Sequence, residues 1–253
     1  AYAVAAVFGP TPVTEAIARC EQMLDQVAGD RHAEGILLGY LGSLHAMSGA
    51  FEQARELVAR GRMLLDDLGL QIERALVDME AWRIETLAGD QVAAERELRQ
   101  AYDSLSAVGE KFILSTAAAF LAQTSYELER FDDVERLTAE VEELATDDDI
   151  GTQGLARCVR ALVLGRAGQY DAAIEHAQEG LEILAPTDAA LLKFDVLLGL
   201  AEVSRLAGLE ADARTALEEA QHIAERKGSP AMSAVVQGRV AAPSDRSLVE
   251  RAP

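Results

Sequence analysis

Leu41-Gly42-Ser43-Leu44-His45-Ala46-Met47-Ser48-Gly49-Ala50-Phe51-Glu52-Gln53-Ala54 reads as the close of one helix, a glycine turn and the opening of a second. Glycine after a run of helix formers supplies the left-handed residue that ends a helix without a Cβ clash. The same punctuation returns at Gly89, Gly168 and Gly208, at steps of 40, 79 and 40 residues. A further turn is therefore expected near 129, where Glu129 stands within Leu128-Glu129-Arg130-Phe131. A fixed period of this length is the mark of a stacked repeat.

Residue size follows the same register. Five residues after the turns come Ala54, Ala94, Val134, Ala173 and Ala213, and twelve after them Gly61, Ala101, Val141, Gly180 and Ala220. Seven before them come Gly42, Trp82, Ala122, Ala161 and Ala201. Small residues let paired helices approach closely, and large neighbours fill the grooves between pairs: Phe51, Phe131 and Tyr170 two after the turn, Leu41, Leu121 and Leu200 eight before it. Trp82, large in a small slot, is expected to pack between repeats two and one. The second helices end near Gly69, Gly109, Asp149, Asp188 and Gly228, residues that suit a left-handed C-cap or a new N-cap.

No proline occurs between residues 13 and 185, a stretch rich in Ala, Leu, Glu, Arg and Gln, and no sustained alternation suggests a strand. The expected fold is all-α: a right-handed solenoid of about five 40-residue helical hairpins over residues 1–240. Its repeats are expected at 34–69, 72–109, 112–149, 151–188 and 190–228. A half repeat at 10–29, capped by Thr11 or Thr14 with Pro12 in its first turn, precedes them. A capping helix at 230–240 and a flexible tail at 241–253 follow.

Leu41-Gly42, Gly49, Phe51 and Ala54, repeated as Gly168-Gln169-Tyr170-Asp171-Ala172-Ala173 with Pro186 beyond, resemble the tetratricopeptide (TPR) signature. The period of 40 departs from the TPR period of 34 and implies longer helices or loops. Three phrases are similar to the C-terminal helical tail of bacterial adenylate/guanylate cyclase-like P-loop ATPase regulators: Gly9-Pro10-Thr11-Pro12-Val13-Thr14-Glu15, Leu87-Ala88-Gly89-Asp90-Gln91-Val92-Ala93-Ala94, and Leu200-Ala201-Glu202-Val203-Ser204-Arg205-Leu206-Ala207-Gly208. That resemblance implies a cut point at Ala1, with cyclase and nucleotide-binding parts upstream, and carries no catalytic residue onto this chain.

Charge narrows the partners. With 23 Lys plus Arg against 43 Asp plus Glu, the net charge is −20. Such a chain repels nucleic-acid phosphates and gives no reason to expect membrane binding. No apolar run reaches the length of a membrane span. Cys20 and Cys158 sit singly in helical patterns, which suits reduced, packed thiols and a cytoplasmic location.

The motifs of chemistry are thin. None of Lys111, Lys193 and Lys227 follows a phosphate-cradling glycine run. His32-Ala33-Glu34 lacks the cysteine partners of a zinc deaminase and is expected in a surface loop, and no histidine has a second one at ligand spacing. Asp147-Asp148-Asp149 breaks calcium-loop spacing and reads as a solvated turn with a capping Asp. Pairs such as Glu142-Glu143 and Glu218-Glu219 fall on outer helical faces. No catalytic residue, cofactor or metal is expected.

A binding surface remains. The first helix of each hairpin is expected to line the concave face with Met47, Met79, Arg83, Thr86, Gln123, Tyr126, Arg166, Glu202 and Arg205. Arg and Tyr combine contact area with directional bonds, although Arg83, Arg166 and Arg205 could equally pair with neighbouring Glu. The expected function is a non-catalytic protein-interaction and regulatory scaffold that holds a protein partner or upstream domains of the same polypeptide. A small-molecule-sensing helical domain of a transcription regulator is the alternative.

Overall fold

The computed structural model describes residues 2–241, so the expected tail lies outside the described residues from 242 onward. The described residues form thirteen α-helices and no strand. They are α1 (Tyr2–Phe8), α2 (Val13–Gln26), α3 (Arg31–Met47), α4 (Phe51–Leu68), α5 (Gln71–Ala88), α6 (Gln91–Val108), α7 (Phe112–Glu127), α8 (Phe131–Leu144), α9 (Ile150–Arg166), α10 (Tyr170–Leu184), α11 (Ala190–Leu206), α12 (Glu210–Lys227) and α13 (Pro230–Ala241). Helices α3 to α12 pack as five successive pairs, each against the next, in an all-α, TPR-like helical-repeat solenoid.

The turns explain the register. At Gly89, φ is +82°, and the Asp90 N–H reaches back to the Glu85 carbonyl, closing the C-terminus of α5. Glu129 copies this geometry with φ +57° and an Arg130 N–H to Ser125 carbonyl bond. It is the one non-glycine residue with positive φ among the described residues. The second helices divide into two kinds. Gly69, Gly109 and Gly228 are left-handed C-caps, whereas α8 and α10 stop at Leu144 and Leu184. Asp149 instead caps the start of α9 by accepting the Thr152 N–H at 3.1 Å.

The three columns of small residues are buried throughout. They mark where paired backbones touch: a Cβ at Gly61 would stand 2.6 Å from the Gly35 carbonyl oxygen, and one at Gly180 would stand 2.9 Å from that of Gly154.

Three local expectations are corrected. Trp82 turns to repeat three, with its ring 4.4 Å from Phe120 and its Nε1–H donated to Thr124 Oγ1 at 2.9 Å. The interface toward repeat one has no room, because a Cβ at Gly39 would already lie 2.9 Å from Val77. Neither Thr11 nor Thr14 caps α2, since Pro12 occupies the N-cap position and no side chain bonds there. His32 lies in the first turn of α3 rather than in a loop, its Nε2 3.4 Å from Glu73.

The stack curls far enough to bring its ends together. Ser229 Oγ donates to the Met47 carbonyl at 2.8 Å, Arg239 of α13 reaches Glu127 of α7 at 2.5 Å, and the Tyr126 hydroxyl meets Glu202 of α11 at 3.5 Å. Helix α1 packs against α2, α3 and α11. The inner face is thus wrapped around an interior. Helix α7, buried along most of its length, runs through the core beside it.

Candidate inner-face site

Arg83, in the fourth turn of α5, is the hub of this interior. Only 5% exposed, it places its guanidinium carbon 4.9 Å from the Phe8 ring centroid, 5.1 Å from Trp82 and 5.5 Å from Phe120. Three aromatic faces hold the cation in place. Among the described residues its one ion-pair contact is with Glu80 at 3.7 Å, and its buried Nε has no hydrogen-bond partner. Glu80 accepts from Ser43 Oγ, and burial pushes its carboxyl above the usual range.

On one side of Arg83 lies α1. Ala3, Ala6 and Val7 are buried, Phe8 packs where the two largest core clusters meet, and the Lys227 ammonium donates to the carbonyls of Ala6 at 2.5 Å and Gly9 at 2.7 Å. Burial, then the nearby Arg83 charge, pushes Lys227 down to about 8. The C-terminal carbonyls of a helix favour a cation, and this one fixes the end of α1 inside the fold.

Trp82, Arg83, Gln123, Phe194, Asp195 and Glu202 line a cavity of about 220 Å³, with α13 at its edge through Val235 and Arg239. Asp195 Oδ2 and Thr86 Oγ1, both shut off from solvent, have no hydrogen-bond partner among the described residues. Burial raises Asp195 to about 6, against the lowering effect of Arg83. Cys158, also in the wall, is pushed up to about 12 by burial and so stays a protonated thiol at neutral pH.

The structure brings four of the nine candidate residues together around this cavity: Arg83, Thr86, Gln123 and Glu202. Tyr126 borders it through its bond to Glu202, and Arg205 pairs with Glu202 at 3.6 Å while donating to the Arg239 carbonyl at 2.8 Å. Met47 and Met79 belong to the packed core. Arg166 lies elsewhere, exposed, with its guanidinium carbon 3.3 Å from the Phe131 centroid in a separate groove.

Asp195, Phe8 and Arg239 were not singled out from sequence, and Lys227 was weighed only as a phosphate-binding lysine. Asp195 had a signal: thirteen residues before each turn stand Ile36, Leu76, Thr116, Leu155 and Asp195, a lone charge in a mainly apolar column. Among the described residues no cluster of His, Cys, Asp or Glu is arranged to hold a metal ion, and no helix is long and apolar enough to cross a membrane.

No protein-family model matches the chain. No curated relative matches it either. Among solved structures, BtubC (BKLC) from P. vanneervenii is similar with a TM-score of 0.58 at 17% identity, over 86% of this chain and 93% of that one. The Rap protein complexed with competence and sporulation factor is similar with a TM-score of 0.56 at 14% identity, over 94% of this chain and 71% of that one. At such identities the likeness is one of fold, and the fold is the all-α helical-repeat solenoid.

Proposed function

We propose that the chain is a non-catalytic interaction module that holds a segment of protein against the inner face of its solenoid. The observation that carries this reading is α1. A seven-residue helix is too short to persist alone in water, yet α1 is seated beside Arg83 and tied by Lys227. The interior thus offers a helical segment an apolar bed, an aromatic contact and a cation for its carbonyl end. A solved protein of this fold, the Rap protein, is in complex with competence and sporulation factor. That precedent supports the reading.

The test uses residues 10–253, checked for folding by circular dichroism, and a peptide of residues 1–9. Titration calorimetry should give saturable one-to-one binding, weakened by Phe8→Ala in the peptide. A folded truncated chain that releases no heat of binding would overturn the reading.

Within the cell, we propose a regulatory part for this module in a bacterial signalling protein. The support is the similarity of its three phrases to the tails of cyclase-like ATPase regulators. The segment held would come from a partner or from upstream domains of the same polypeptide. The two buried, unpaired cysteines suit a cytoplasmic setting. An immunoblot band far above 27.1 kDa supports the tail arrangement, and one at 27.1 kDa contradicts it.

A specific observation favours a second reading, that of a small-molecule sensor. The interior holds an apolar-walled cavity onto which unpartnered polar groups converge, the usual anatomy of a ligand pocket.

A further inference from the structure

Three polar groups in the cavity wall lack partners, and they differ in kind. Arg83 Nε is an unfilled donor, Asp195 Oδ2 an unfilled acceptor and Thr86 Oγ1 a hydroxyl that can serve as either. A buried charged atom without hydrogen bonds is costly, and here Arg83, 5% exposed, and the half-buried Asp195 bring opposite charges to one space. They do not satisfy each other: no ion-pair contact joins Arg83 to Asp195, and the nearest carboxylate to Arg83 Nε, that of Glu80, is 3.7 Å away. Nor can neighbours relieve Asp195. Arg239, the other cation in the wall, is engaged by Glu127.

A ligand with only an anion would leave Asp195 bare, and one with only a cation would leave Arg83 bare. The arrangement asks for both charges on one small molecule. Beside them the wall carries an apolar stretch of Trp82, Leu162, Leu191, Phe194 and Leu198, with Gln123, Glu202 and Arg239 as its further polar members. The volume, about 220 Å³, falls below the roughly 300–1,000 Å³ of drug-sized sites.

We propose that this cavity binds a single free α-amino acid with an apolar side chain, Arg83 taking its carboxylate, Asp195 its ammonium and the apolar wall its side chain. The inference rests on the small-molecule reading above. Guanidinium suits the carboxylate because its planar fork can donate two parallel bonds. Thr86 adds a hydroxyl to the polar end. Stacking on Phe8, Trp82 and Phe120 keeps the fork from swinging away to solvent.

The test is calorimetry and thermal shift on the full chain with L-leucine, L-isoleucine, L-methionine and L-phenylalanine, each up to 10 mM. Two analogues of leucine accompany them: 3-methylbutylamine, which lacks the carboxylate, and 4-methylpentanoate, which lacks the amine. At least one amino acid should bind saturably, and both analogues should bind at least about tenfold more weakly. Asp195→Asn should weaken the amino acid about ten- to a hundredfold, the worth of a bond to a charged group. Arg83→Lys, which keeps the charge but not the fork, should weaken it as well. If an analogue binds as tightly as the amino acid, or Asp195→Asn changes nothing, the amino-acid assignment fails while the small-molecule reading stands. If none of the six compounds binds the folded chain, the amino-acid assignment fails, and a thermal-shift screen of other small metabolites that also gives no saturable rise would bring down the small-molecule reading.

Discussion

The ammonium of Lys227, at the last residue of α12, donates to the Gly9 carbonyl at 2.7 Å across 218 residues of sequence, and to the Ala6 carbonyl beside it. This joins the first helix to the last repeat and sets where α1 lies. Lys227 is 2% exposed, and its head meets carbonyls rather than a carboxylate. Replacing it with methionine keeps the stem and removes the donor. Lys227→Met should lower stability by about 1–3 kcal/mol, the cost of leaving buried acceptors unpaired, as read by urea denaturation at pH 7. An unchanged midpoint would show that α1 is held by apolar contact alone.

Glu129 occupies a glycine position, with φ +57°. An L side chain in the left-handed region costs about 1–2 kcal/mol, and glycine gives back about 0.5–1 kcal/mol through the freedom of its unfolded chain. Glu129→Gly should therefore stabilise the protein by up to about 1 kcal/mol, which in a domain of this size is a rise in Tm of about 2–4 °C. Gly89→Ala, at φ +82°, should do the opposite. A melting curve of each variant checks the pair.

Two further glycines separate packing from propensity. At Gly61 a Cβ would stand 2.6 Å from the backbone oxygen of Gly35, so Gly61→Ala must push α3 and α4 apart. We expect a loss of about 1–3 kcal/mol. At Gly238 in α13 a Cβ meets nothing within 4 Å, and Gly238→Ala should gain about 0.5–1 kcal/mol of helix stability. Chemical denaturation of both variants should show opposite signs.

Asp195 links stability to pH. Burial raises its pKa from 3.8 to about 6, so the folded chain binds this proton more tightly than the unfolded one. The contribution is fully present below about 4 and is lost as pH rises through about 6. Asparagine cannot ionise. Asp195→Asn should be more stable than the parent at pH 7, by on the order of 3 kcal/mol for a shift of this size, and equal to it near pH 4. Thermal melts at the two pH values test this, and a gain of the same size at both would contradict it.

The repeat was legible because its signals recur. Burial of Ala54, Ala94, Val134, Ala173 and Ala213 follows from one geometric demand met five times, and the step of 40 located the turn at Glu129 although no glycine marks it. Closure of the stack was not legible, because it accumulates from a small rotation at every interface and no single residue encodes the sum. The site suffered accordingly. Arg83, Thr86, Gln123 and Glu202, all on first helices of their pairs, meet at the cavity. Arg166 is drawn outward by the ring of Phe131, and Arg205 is drawn to the Arg239 carbonyl. Asp195 and Lys227 acquire their meaning from groups that only closure brings near, Arg83 for the first and α1 for the second.

The central claim is that the inner face holds a helical segment, and α1 is the segment in place. Amide hydrogen exchange on the intact chain, followed by mass spectrometry over residues 2–9, measures that occupancy directly. A free seven-residue helix exchanges at nearly the rate of an unfolded peptide. The account predicts slow exchange of this segment in the parent and a marked acceleration in Lys227→Met, larger than the acceleration of α7, which follows only the loss of global stability. Unprotected exchange of residues 2–9 in the parent would mean that the inner face does not hold α1, and would contradict the account.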